Sequence, residues 1–126
     1  MVDIEKQITY WQDGSREEFE VARQLIANEK IRHGLFFAHL AVEKLLKAKV
    51  CQTTEEVAPR IHNLVRLAQI AKLSLPETTL DLLAEMNEFN LEGRYPVPFL
   101  TPISMLEAND YIEKTEGVLK WLMRQF

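Results

Sequence analysis

Four residues with chemistry to offer fall on one stripe of a single helical stretch. On a wheel of 100° per residue, Arg32, His39, Glu43 and Lys47 lie within about 80° of one another. His39, Glu43 and Lys47 follow at i, i+4 and i+8, so the carboxylate reaches either neighbour. It can fix the tautomer of the imidazole or pair with the ammonium. Phe36 and Leu40 share the arc, and a polar ridge mixed with apolar side chains predicts a face partly covered by another helix or by a second subunit. A purely structural account needs only surface ion pairs worth about 0.3–0.5 kcal/mol each, with a histidine at the edge of the core.

Two further sites invite attention. His62 follows Pro59-Arg60-Ile61 at the start of a short helical pattern, where a ring nitrogen suits unpaired backbone groups or a packing role. Arg94-Tyr95-Pro96 sets a guanidinium and a phenol beside a helix end and a proline-stiffened loop. Arginine there suits a carboxylate or phosphate through paired bonds, or caps the carbonyls of the helix before it. His39 and Glu43 supply only two metal ligands, and neither His33 nor His62 stands at a metal-binding spacing from them, so no metal and no cofactor is expected. The chain has no phosphate-cradling glycine loop, no Gly-x-Ser-x-Gly, no His-Glu-x-x-His and no Cys-x-x-Cys. Cys51 has no base beside it in the sequence and reads as a buried or boundary thiol.

The elements that must position these residues are helical throughout. Ile8, Trp11, Ser15, Phe19, Ala22 and Leu25-Ile26 mark a first helix that Asn28 stops, with Gly14 weakening its middle. From about Lys30 to Val50 apolar residues cover most of the circumference, which places this second helix at the centre of a bundle. A polar connection over 52–60 leads to a third, shorter helix from Ile61 to Leu73. Ser74-Leu75-Pro76-Glu77 reads as a capping box opening a fourth helix near Pro76, with Leu80, Leu83, Met86 and Phe89 inward. Three prolines between Gly93 and Pro102 forbid regular helix, yet Tyr95, Val97, Phe99 and Leu100 predict a loop that packs. Thr101-Pro102 reads as the cap and first turn of a last helix with Leu106, Tyr111, Ile112, Thr115, Val118, Leu119 and Leu122 inside. The fold expected is an all-α, up-and-down bundle of about five helices with a four-helix-bundle-like core, one domain over residues 1–126.

Composition agrees. The 126 residues are 47% hydrophobic and 27% charged, an ordinary globular balance. Fifteen basic residues against nineteen acidic ones give a net charge of -4, which argues against a strong overall positive field for nucleic acid and leaves local basic patches open. One cysteine rules out an internal disulfide and fits a reducing compartment. With no apolar run of about 18 residues and an acidic N-terminus lacking a signal-peptide core, the expectation is a cytoplasmic protein with no membrane span.

The run His33-Gly34-Leu35-Phe36-Phe37-Ala38-His39-Leu40-Ala41-Val42-Glu43-Lys44-Leu45-Leu46-Lys47-Ala48, then Ile61-His62-Asn63-Leu64, then Gly93-Arg94-Tyr95-Pro96, strongly resembles HEPN-domain proteins. The likeness spans nearly the whole chain. It implies a helical bundle that commonly dimerises, of the prokaryotic type paired with a minimal nucleotidyltransferase in a toxin–antitoxin-like system. It also implies nucleotide binding or, in many members, metal-independent ribonuclease activity. The ribonuclease branch carries an Arg-x4-6-His motif, the histidine serving as acid/base and the arginine steadying phosphate charge. Arg94 matches that arginine, but positions 99 to 101 are Phe99, Leu100 and Thr101. The Arg-x6-His spacing from Arg32 to His39 lies on the second helix, outside the family's catalytic location.

The departure from the motif weighs against an enzyme. The leading expectation is therefore a nucleotide- or partner-binding module, a homodimer acting with a minimal nucleotidyltransferase and a nucleotide or RNA. Its candidate binding residues are Arg32, His39, Glu43, Lys47, His62, Arg94 and Tyr95. The rivals are a toxin-like endoribonuclease using His39 or His62 as its acid/base, and a non-catalytic structural or interaction protein.

Overall fold

The structure, a computed structural model, describes residues 2–94 and 102–126, with side chains described except at 91–94. Five helices follow one another: α1 (Ile4–Ala27), α2 (Ile31–Thr54), α3 (Leu64–Ile70), α4 (Glu77–Arg94) and α5 (Met105–Met123). No strand occurs among the described residues, so the all-α bundle expected from the periodicity is the fold observed.

α2 is the axis on which the rest assembles. Ala38, Ala41, Val42, Leu45, Leu46, Ala48 and Val50 are all buried, and α1, α3, α4 and α5 each pack against it. The α1–α2 seam is the most extensive. Two small residues permit its closeness. Gly34 faces α1 so tightly that a Cβ there would stand 2.5 Å from Ile26 Cδ1, and one at Gly14 would stand 3.0 Å from Lys44 Cδ. Inside the seam Ser15 donates to the carbonyl of Ala41 at 2.6 Å, which satisfies a hydroxyl that would otherwise be costly to bury.

The chain turns by residue chemistry more than by glycine. α1 ends with Asn28 as C-cap, Glu29 at φ 60°, and Lys30 N–H reaching back to the carbonyl of Leu25. α3 ends the same way, with Lys72 at φ 57° and Leu73 N–H donating to Ala68. Both are Schellman closures with a non-glycine residue in the left-handed position.

Several sequence-derived boundaries shift. α2 runs to Thr54, into the segment read as a connection. α3 is shorter than expected: Asn63, not the Ile61 region, caps it by accepting from Arg66 N–H. α4 keeps its expected start, beginning at Glu77 with the carbonyl of Pro76 taking the first amides, from Thr79 and Leu80. α5 begins at Met105 under a Ser104–Glu107 capping box instead of at Thr101-Pro102. Leu106, expected inside, is 82% exposed, because at 100° per residue it lies on the opposite side of α5 from the buried Ala108, Thr115 and Leu122. The expected packing loop of 93–102, with Tyr95, lies largely outside the described residues. No helix among the described residues is long and apolar enough to cross a membrane.

Candidate functional site

From His39 to Lys47 the polar ridge of α2 is buried, and this chain itself covers it. His39 is 0% exposed, Glu43 4% and Lys47 6%, which removes the account of them as surface ion pairs. Lys47 Nζ donates to Glu43 Oε2 at 3.0 Å and lies 5.2 Å from the ring centroid of Trp11 on α1. The ammonium is thus held between a carboxylate and an aromatic face.

Glu43's other oxygen turns outward. Oε1 accepts from His62 Nδ1 at 3.1 Å, and His39 Nδ1 lies 3.7 Å from the same oxygen. His39 Nε2 donates to the backbone carbonyl of His62 at 3.0 Å. A carbonyl and a carboxylate only accept, so these bonds put a proton on Nε2 of His39 and on Nδ1 of His62. His39, Glu43, Lys47 and His62 therefore form one connected network between α2 and the segment entering α3.

That segment is clamped from the other side as well. Asn87 on α4 accepts from Leu64 N–H at 2.8 Å and donates to Asn63 Oδ1 at 3.3 Å. Asn63 itself caps α3. Neither Asn63 nor Asn87 is among the site residues expected from the sequence. An asparagine directly before Leu64-Val65 is a legible N-cap signal, whereas nothing local in α4 marks Asn87.

Only His62 reaches the surface: its side chain is 48% exposed. Since Nδ1 points at a buried carboxylate, the exposed part of the ring is the edge remote from that bond. Arg60 and Arg66, both exposed, flank it in the chain. The arrangement orients one imidazole by a carboxylate, so that its outer nitrogen, a lone-pair acceptor in the neutral ring, can move a proton and, in the imidazolium form, donate to an anion. Arg32, about two turns before His39 on α2, is half-buried and is not drawn into the network. The side chain of Arg94 and the whole of Tyr95 lie outside the described residues.

Other reactive groups stand apart. Cys51 is fully buried, and burial pushes its thiol up, away from thiolate chemistry. No group of three or more metal-ligating side chains gathers among the described residues.

A five-helix bundle whose central helix carries a buried, carboxylate-centred polar network defines a class of small helical modules. The chain belongs to the HEPN domain family, whose model matches residues 8–125. Two solved structures share the fold. One is TT1696 from Thermus thermophilus, at 18% identity and a TM-score of 0.77, covering 95% of this chain and 98% of that one. The other is ST0689, described as an archaeal HEPN homologue, at 20% identity and a TM-score of 0.70, covering 99% and 98%. No curated protein matches the chain.

Proposed function

We propose that residues 1–126 form one nucleotide- or partner-binding HEPN module, a cytoplasmic homodimer that acts with a minimal nucleotidyltransferase in a toxin–antitoxin-like pair. Family membership supports the class. The observation that carries the reading is the bond from His62 to Glu43, which holds an imidazole at the surface with its outer edge open to a phosphate. Arg94 and Tyr95 join the proposed binding set through their match to the family motif, and Arg32 by its place on the same stripe of α2.

Calorimetric titration of the purified chain with ATP and AMP tests it. Saturable binding that weakens by about tenfold or more in His62→Ala, roughly the loss of one hydrogen bond to a charged group, supports the reading. Failure to bind nucleotides, together with a monomer in sedimentation and no complex with a co-expressed minimal nucleotidyltransferase, sinks it.

A second reading draws on the same bond. A histidine oriented by a carboxylate is the arrangement a general acid/base needs, and the enclosure of His39 leaves that role to His62. RNA cleavage that persists in EDTA and disappears in His62→Ala favours a ribonuclease. Inactive protein over a panel of RNAs removes that alternative.

A further inference from the structure

α1 and α5 touch only sparsely, and a groove of about 550 Å³ opens between them over the side of α2. Its floor is apolar: Phe19, Leu45, Leu119 and Met123 line it, and Met123 is 43% exposed. Its walls are basic. Arg16, Arg23, Lys120 and Arg124 surround the floor, with Glu20 and Glu116 the acidic side chains. Arg16 pairs with Asp13 at 3.2 Å, Glu116 is shared between Arg23 at 3.6 Å and Lys120 at 3.5 Å, and no carboxylate among the described residues pairs with Arg124. In a chain of net charge -4, an excess of cations around an apolar trough is a local reversal of the overall field.

We propose that this groove docks an acidic amphipathic helix of a partner polypeptide. The charge of the walls complements glutamates and aspartates flanking an apolar stripe, and the floor receives the stripe, which is the helix-in-groove mode. From Gln12 to Arg23 the α1 wall runs about 16 Å, or about three helical turns, enough for anchors at i, i+3/i+4 and i+7. Nucleic acid fits less well. The floor is mostly aliphatic, and the one aromatic face in it, that of Phe19, carries the Arg23 guanidinium 6.0 Å from its centroid, which occupies the surface a base would stack on. The inference stands apart from the nucleotide-binding reading, because none of these residues belongs to the His62 network.

The test uses a fluorescein-labelled synthetic helix of about three turns, with leucines at i, i+3, i+4 and i+7 and glutamates on both flanks, titrated by anisotropy. We expect saturable binding in the micromolar range, and a loss of about tenfold or more, about 1.4 kcal/mol, in each of Arg23→Glu and Met123→Glu. A peptide with lysines for glutamates should not bind. Should Met123→Glu unfold, Arg16→Glu and Lys120→Glu carry the same test, since both native side chains are exposed. Three results overturn the proposal: no saturable binding to the native chain, displacement of the peptide by oligouridylate RNA whose own binding ignores Met123→Glu, or a native dimer that Met123→Glu converts to monomer. Nucleotide titration of the same variants should match the native chain, so failure at the groove and failure at His62 read out separately.

Discussion

At the scale of the residue, Glu43 decides the most. Its two oxygens bond to Lys47 and His62, and both it and Lys47 are enclosed. Glu43→Gln keeps the shape and one acceptor but leaves an uncompensated ammonium inside, so urea denaturation should show a loss of about 3 kcal/mol. Adding Lys47→Met should recover most of that loss. Recovery of none of it would show that the cost lies in the bond to His62 and not in the stranded charge. Tyr111 offers a pH-dependent counterpart. Burial first, then its hydrogen bond to Glu85 and the charges of Glu85, Glu107 and Asp110, push its phenol up to about 12. In the unfolded chain a tyrosine ionises near about 10. Between those values the folded state holds a proton that the unfolded state has lost, so this contribution is intact below about pH 10 and declines as pH rises towards 12. Absorbance titration at alkaline pH should show one tyrosine ionising late, and Tyr111→Phe should abolish that late step and flatten the alkaline loss of stability.

At the scale of the element, the α1–α2 seam depends on the absence of side chain at Gly34. Alanine is the better helix former by about 1 kcal/mol, yet its Cβ would meet Ile26, which is 2% exposed and has no room to retreat. Gly34→Ala should therefore lower the unfolding free energy by about 1–2 kcal/mol in spite of its propensity. Combining it with Ile26→Val, which removes the methyl at the closest approach, should restore part of the loss. Most of this layer is legible in the sequence. The apolar circumference of α2 places it at the centre, and the stripe through Trp11, Ser15 and Ala22 places α1 against it. Boundaries are less so. Thr101 outcompetes Ser104 as a start signal because a threonine before a proline is strong in isolation, although the box that Glu107 closes on Ser104 is equally local. The ridge of His39, Glu43 and Lys47 is legible as a ridge, but what covers it is not: Trp11 sits on another helix, and His62 arrives from a connection. Contacts between segments far apart in the chain leave no periodicity to read.

At the scale of the molecule, the packing is uneven. α2 is surrounded, whereas α5 faces α1 across an open groove. Native-state hydrogen exchange should find the amides of Leu35 to Cys51 opening only with global unfolding, and those of the last turns of α5 opening earlier by roughly 2 kcal/mol or more. Uniform protection over both helices would mean that α5 is as firmly docked as the centre. The open side is also where the proposed acidic helix would sit, so its binding should raise protection in α5 more than in α2.

The carboxylate at the heart of α2 serves two masters, one inside the bundle and one at its skin. Any substitution that retunes the imidazole at position 62 through Glu43 must disturb the interior at the same time. Variation in what the proposed nucleotide site at His62 would recognise is therefore channelled to the outer neighbours, Arg60 and Arg66, which can change hands without shaking the frame. Under the proposed nucleotide-binding role, diversification of ligand preference should be sought at those two positions, and substitution of Glu43 should show itself as loss of folded protein.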